Sequence, residues 1–94
     1  VVERKLEDKE TKRRTRFDII TDILKASVDG ANKTRIVYST NLNFKIANEY
    51  IKFLIESNLL KEESQSNSKL YRTTEEGLEL LKKFDELEQV IKLF

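Results

Sequence analysis

Residues 42–60 read LNFKIANEYIKFLIESNLL, and the periodicity of this stretch decides the fold. Asn43 stands where a helix N-cap belongs, because its side-chain oxygen can accept a hydrogen bond from a free amide of the first turn. Ala47, Ile51, Leu54 and Ile55 then recur at the spacing of a single helical face. Lys45, Asn48, Glu49 and Lys52 fall on the opposite face. Asn58 follows the last periodic residue, where a helix stops in a left-handed conformation that asparagine tolerates. The spacing predicts a helix that packs by one side and displays polar groups on the other.

Upstream, residues 34–41 read as a shorter helix, with Thr34 as its N-cap and Ile36 and Val37 facing inward. Asn41-Leu42-Asn43 is the turn between the two. Helices joined this way form a helix-turn-helix, whose displayed second helix is the one that enters a major groove. Further upstream, Phe17, Ile20, Leu24 and Val28 recur at three and four, with Ile19 and Ile23 widening the stripe. That predicts a first helix over residues 16–28, closed by Asp29-Gly30, and a short extended segment over 31–33.

Downstream, residues 59–62 and 70–73 read as two strands joined by the polar loop ESQSNSK, with turn chemistry at Asn67-Ser68. A hairpin after a helix-turn-helix is a wing, and Lys69 and Arg72 are its candidate phosphate contacts. Glu62 and Glu63 work against them. Thr74 opens a last helix, in which Glu75 and Glu76 suit the positive end of the dipole. Gly77 in its first turn indicates close packing against another backbone. Leu80, Phe84, Leu87, Ile91 and Phe94 repeat at four, three, four, three, a heptad seam. Leu78 and Leu81 are expected to pack on the domain core. A helix this short is marginal in water by itself, so the seam calls for a partner, here the same helix of a second copy.

Composition narrows the function. Ninety-four residues make one domain with a single core. The chain has no cysteine and no histidine, which removes disulfides, thiolate chemistry and the usual general base. With no glycine-rich phosphate loop and no serine beside an activating base, the expectation is a protein that is not an enzyme and holds no metal or cofactor. No apolar run approaches a membrane span and no signal peptide is visible, so a cytoplasmic protein with no membrane partner is expected. The chain opens on Val1, so an initiator residue or more is expected to have preceded it. Charged residues are 37% of the chain for a net charge of only +1. Their distribution matters more: residues 1–16 carry a net +3, residues 17–73 +1 and residues 74–94 −3. A phosphate-binding surface would be local, with the acidic tail directed away. The basic arm Lys12, Arg13, Arg14 and Arg16 is a further candidate for backbone phosphate. Abundant Lys, Glu and Ile without Cys, Met or Pro resembles hyperthermophile composition.

Residues 42–60 resemble the winged-helix pattern, and Tyr71-Arg72-Thr73-Thr74-Glu75-Glu76-Gly77 resembles the wing-to-helix junction of that fold. More narrowly, Lys33-Thr34-Arg35-Ile36 with Tyr38, then Asn41-Leu42, then Tyr50-Ile51-Lys52, is similar to the small archaeal ten-kilodalton chromatin-type DNA-binding proteins. The likeness covers about residues 16–94. It implies a mainly α fold with a small β-hairpin, a winged helix-turn-helix that dimerises through a C-terminal coiled coil. The divisions expected are a charged extension over 1–15, a winged-helix domain over 16–76 and a dimerisation helix over 77–94. Carried over by residue, Lys33 and Arg35 match the family's basic residues at the second helix, and Asn43, Lys45, Asn48, Glu49 and Lys52 fall on its reading helix. Glu49 departs from the basic residue expected in many relatives. The terminal helix is short for the family's coiled coil, and the N-terminal extension has no clear counterpart.

The resulting expectation is double-stranded DNA binding by a nucleoid-associated homodimer, a transcription regulator or a chromatin-type protein. Lys33, Arg35, Lys45 and Lys52 would hold phosphates, and Asn43 and Asn48 would touch base edges. The competing expectation is a winged helix that docks proteins, favoured by Glu49, Glu62, Glu63 and the near-neutral charge.

Overall fold

The computed structural model describes residues 15–93. The extension up to Arg14 and the seam residue Phe94 lie outside the described residues. Within them the order is α1 (Arg16–Ala26), α2 (Lys33–Thr40), α3 (Phe44–Glu56), β1 (Leu60–Gln65), β2 (Ser68–Thr73) and α4 (Glu75–Lys92).

Each helix starts on a side-chain cap. Thr15 and Asp18 form a reciprocal capping box at α1, Asn43 accepts from the Ile46 amide at 2.8 Å to open α3, and Thr74 accepts from the Gly77 amide at 3.0 Å to open α4. At α2 the cap is Asn32, not Thr34: its Oδ1 accepts from the Arg35 amide at 2.8 Å. Asparagine is the stronger cap, and the chain reaches it directly from an antiparallel bridge between Ala31 and Tyr71. The extended segment expected over 31–33 is therefore limited to Ala31 and Asn32, and Lys33 already belongs to the helix. Asn41 and Asn58 take left-handed conformations, with φ 58° and 63°, and turn the chain out of α2 and α3.

The first helix ends earlier than its stripe suggests. It stops at Ala26 and leaves Val28 outside. The cause is tertiary. The Leu24 carbonyl accepts the Thr73 hydroxyl at 2.7 Å, and the Ser27 carbonyl accepts the amides of both Gly30 and Thr73. The end of α1 is thereby committed to the sheet. Gly30, at φ 93°, then reverses the chain beneath the Arg72 guanidinium.

The wing is longer and its turn tighter than the polar loop implies. β1 and β2 pair antiparallel from Leu60↔Thr73 to Gln65↔Ser68. Glu63, Ser64, Gln65, Ser68 and Lys69, expected in a loop, are ladder residues, and the turn is Ser66-Asn67. At the tip both faces of the hairpin are exposed, so polarity does not mark where pairing stops. Ser66 has φ 51° while Asn67 does not have a positive φ, the pattern of a turn whose first central position favours glycine. Ser66→Gly is accordingly expected to stabilise the fold by about 0.5 kcal/mol, raising Tm by roughly 2–4 °C. A thermal melt followed by circular dichroism that shows no rise would contradict this account of the turn.

The core gathers Ile23, Leu24, Ala31, Ile36, Ile51, Leu54, Leu60 and Tyr71. Ala47 is fully buried on the same face of α3. Burying such side chains is the main favourable term, at about 1.5–3 kcal/mol for each large aliphatic residue. Leu80 and Leu81 close the core from α4. Leu78 does not join them and is 43% exposed. The rotation of α4 is set by Gly77, whose buried Cα faces Leu59 and Thr73. Residues three, four and seven further on follow it inward, and Leu78 turns away. Next along that stripe, Phe84 meets Phe17 of α1 edge to face, with ring centroids 5.0 Å apart.

Candidate nucleic-acid interface

The turn Asn41-Leu42-Asn43 holds α2 against α3 and leaves one side of α3 in solvent. Because Ala47, Ile51 and Leu54 take the buried side, Lys45, Asn48, Glu49 and Lys52 are all exposed, as is Glu56. Lys45, Glu49, Lys52 and Glu56 form the central line of that face, and Asn48 lies beside it toward Phe44. None of these cations forms an ion pair among the described residues. The two reading-helix asparagines differ. Asn43 is held in place by the Ile46 amide, which donates to its carbonyl oxygen, so its orientation is fixed by the cap. Asn48 makes no hydrogen bond among the described residues and offers donor and acceptor together.

On α2, Arg35 is exposed and Lys33 is half-buried at the first helical position. Both flank the turn that leads to Ile36. Tyr38 lies on the same outward face as Arg35, three residues on, and is 84% exposed. Arg16, of the basic arm, is exposed at the start of α1.

The wing cations stand differently. Lys69 Nζ lies 3.5 Å from a Glu62 carboxylate oxygen. Arg72 Nε donates to both carboxylate oxygens of Glu63, at 3.1 and 3.3 Å, and Lys61 reaches the same carboxylate at 3.7 Å. Lys69–Glu62 and Arg72–Glu63 are diagonal cross-strand pairs produced by the register, and Lys61–Glu63 lies along one face of β1. Lys69 is well exposed, so its pair is weak and exchangeable. Arg72 is half-buried between Glu63 and Gly30 and is held as part of the hairpin.

The seam residues also divide. Leu80 packs on the core of its own chain, and Phe84 is half-buried on Phe17. Leu87 and Ile91 are 56% and 58% exposed and have no such cover. Two aromatic residues of α3, Phe44 and Phe53, are also about half exposed, at 52% and 51%. The sequence reading assigned them no role. For Phe53 the available signal was its position off the apolar stripe, whereas Phe44 continues the stripe by one turn and is exposed because it begins the helix. Among the described residues no group of His, Cys, Asp and Glu is placed to hold a metal ion, and no helix is long and apolar enough to cross a membrane.

Comparison with known proteins agrees with this geometry. An uncharacterized protein of Methanocaldococcus jannaschii is 32% identical over 80 residues, which cover 84% of this chain and 78% of that protein. Among solved structures, the chain is similar to Sso10a-2, a DNA-binding protein from Sulfolobus solfataricus, with a TM-score of 0.74 at 25% identity over 84% of this chain and 83% of that one. It also shares its fold with AF1382 from Archaeoglobus fulgidus, with a TM-score of 0.68 at 13% identity over 87% and 96% of the two chains. The family model described as winged helix-turn-helix matches residues 13–92, from just before the Thr15 cap to the last turn of α4, so the chain belongs to the winged helix-turn-helix family.

Proposed function

We propose that this chain binds double-stranded DNA as a homodimer, with α3 in the major groove, in the role of a nucleoid-associated transcription regulator or chromatin-type protein. The observation that carries the reading is the outward face of α3. It presents Lys45, Lys52 and Asn48 with no partner among the described residues, beside Arg35 and Lys33 of α2. The described DNA-binding role of Sso10a-2 supports the same reading. In this arrangement the four cations hold phosphates and Asn48 reaches base edges. The homodimer reading is supported by the exposed Leu87 and Ile91 on the heptad line of α4.

Four phosphate contacts per protomer set the expected salt dependence. By counterion release, log affinity for duplex DNA should fall with log salt at a slope of about −3.6 per protomer, and about twice that for a dimer with both heads bound. Fluorescence anisotropy on mixed-sequence duplex across a salt series measures it. Lys45→Ala should weaken all sequences alike and shift that slope by about one per protomer, whereas Asn48→Ala should reduce the preference between sites. Unchanged affinity in both variants would remove α3 from the interface.

One observation favours a second reading. Glu62 and Glu63 neutralise the wing cations, and Glu49 lies between Lys45 and Lys52. A winged helix that docks on a protein would show no duplex binding even at low salt.

A further inference from the structure

We propose that the first two turns of α3 read an A·T sequence, with Asn48 pairing to adenine and Phe44 packing on the 5-methyl group of a nearby thymine. This rests on the DNA-binding reading above and adds its base specificity. Phe44 is the first residue of α3 and is 52% exposed. The core does not need it, because Ala47, Ile51 and Leu54 already fill the buried face of the helix. Phe44 and Asn48 are four residues apart. They therefore lie on nearly the same line of the helix, separated by about 6 Å along its axis. Phe53 is exposed as well, but it lies on the other flank of α3 and more than two turns further along.

The chemistry of the groove narrows the ligand. N-terminal residues of a recognition helix meet base edges. In the major groove those edges are hydrogen-bonding groups, with one apolar exception, the thymine methyl. An exposed phenyl ring in the first turn therefore has one base partner that it improves. Beside it, an amide that pairs with adenine must accept from N6 and donate to N7. Asn43 is poorly placed to do both, because its side chain is turned back to cap the Ile46 amide at 2.8 Å. Asn48 can. Base pairs rise by about 3.4 Å, so two side chains about 6 Å apart along the helix reach pairs that are one or two steps apart.

The test removes only the methyl group. An A·T-rich duplex is prepared with thymine, or with deoxyuridine at every thymine, and each is titrated with the full chain by fluorescence anisotropy. The wild type should bind the thymine duplex about fourfold more tightly per bound head, the amount one buried methyl supplies, and about fifteenfold for a dimer with both heads bound. Phe44→Ala should bind both duplexes equally, near the wild-type affinity for the uracil duplex. Phe44→Leu, which keeps an apolar side chain, should retain part of the preference. Equal wild-type affinity for the two duplexes, with salt-sensitive binding intact, overturns this inference and leaves the DNA-binding reading standing. A thymine preference that survives in Phe44→Ala also overturns it, because the methyl then acts through duplex shape. Absence of binding to either duplex at low salt removes the DNA-binding reading and this inference together.

Discussion

Gly77→Ala is expected to destabilise the protein by about 2–3 kcal/mol, lowering Tm by roughly 10–20 °C. Helix propensity by itself predicts the opposite sign, because alanine in a helix is favoured over glycine by about 1 kcal/mol. Packing decides. A Cβ on Gly77 would lie 2.5 Å from the Leu59 carbonyl oxygen and 2.6 Å from Thr73 Cγ2. The first is backbone and cannot rotate away. The Leu59 carbonyl also accepts the Thr74 amide at 3.0 Å, so moving it weakens the joint between the wing and α4. The second obstacle is a side chain whose hydroxyl is bonded to Leu24 in the core. Thermal and urea melts of the variant measure the balance. An unchanged or raised Tm would mean that α4 does not press on the β1 entry as described.

Leu87→Glu with Ile91→Glu is expected to convert a dimer into a monomer, raising the dimer Kd at least about a thousandfold. Both side chains are more than half exposed in the single chain, and each is worth about 1.5–3 kcal/mol when fully buried. Two of them from each protomer far exceed the roughly 4 kcal/mol that a thousandfold change represents. These two are better probes than Phe84, because Phe84 packs on Phe17 of its own chain and its loss would disturb the domain as well as the interface. Sedimentation velocity reads the mass, and circular dichroism checks that the helices remain. A dimer of unchanged Kd would move the interface away from the end of α4.

Features encoded by neighbouring residues were legible in the sequence. The Asn43 cap, the buried stripe of α3, the left-handed Asn58 and the close approach at Gly77 all follow from residues within a few positions of one another. What was not legible depends on contacts across the chain. The end of α1 moved from Val28 to Ala26 because Thr73 and Gly30 claim its carbonyls. Leu78 left the core because Gly77 sets the rotation of α4. The reach of the wing was underestimated because its tip has no buried face, so the ladder continues through polar residues that read as loop. The same applies to the candidate site. The cations of α2 and α3 could be assigned to a face by periodicity. The carboxylate partners of Lys69 and Arg72 could not, because a diagonal pair is defined only once the strand register is known.

The seam between α1 and the wing has a kinetic consequence. Every helix start is capped from within its own first turn, and the hairpin closes on a two-residue turn, so these units can form from local contacts within microseconds. The bond from Thr73 to Leu24 instead joins residues 49 apart, and the Ala31–Tyr71 bridge also closes a long loop. Loop-closure entropy falls on such bonds, and on the Phe17–Phe84 contact between α1 and α4. Docking of the hairpin onto the end of α1 is then expected to limit the folding rate.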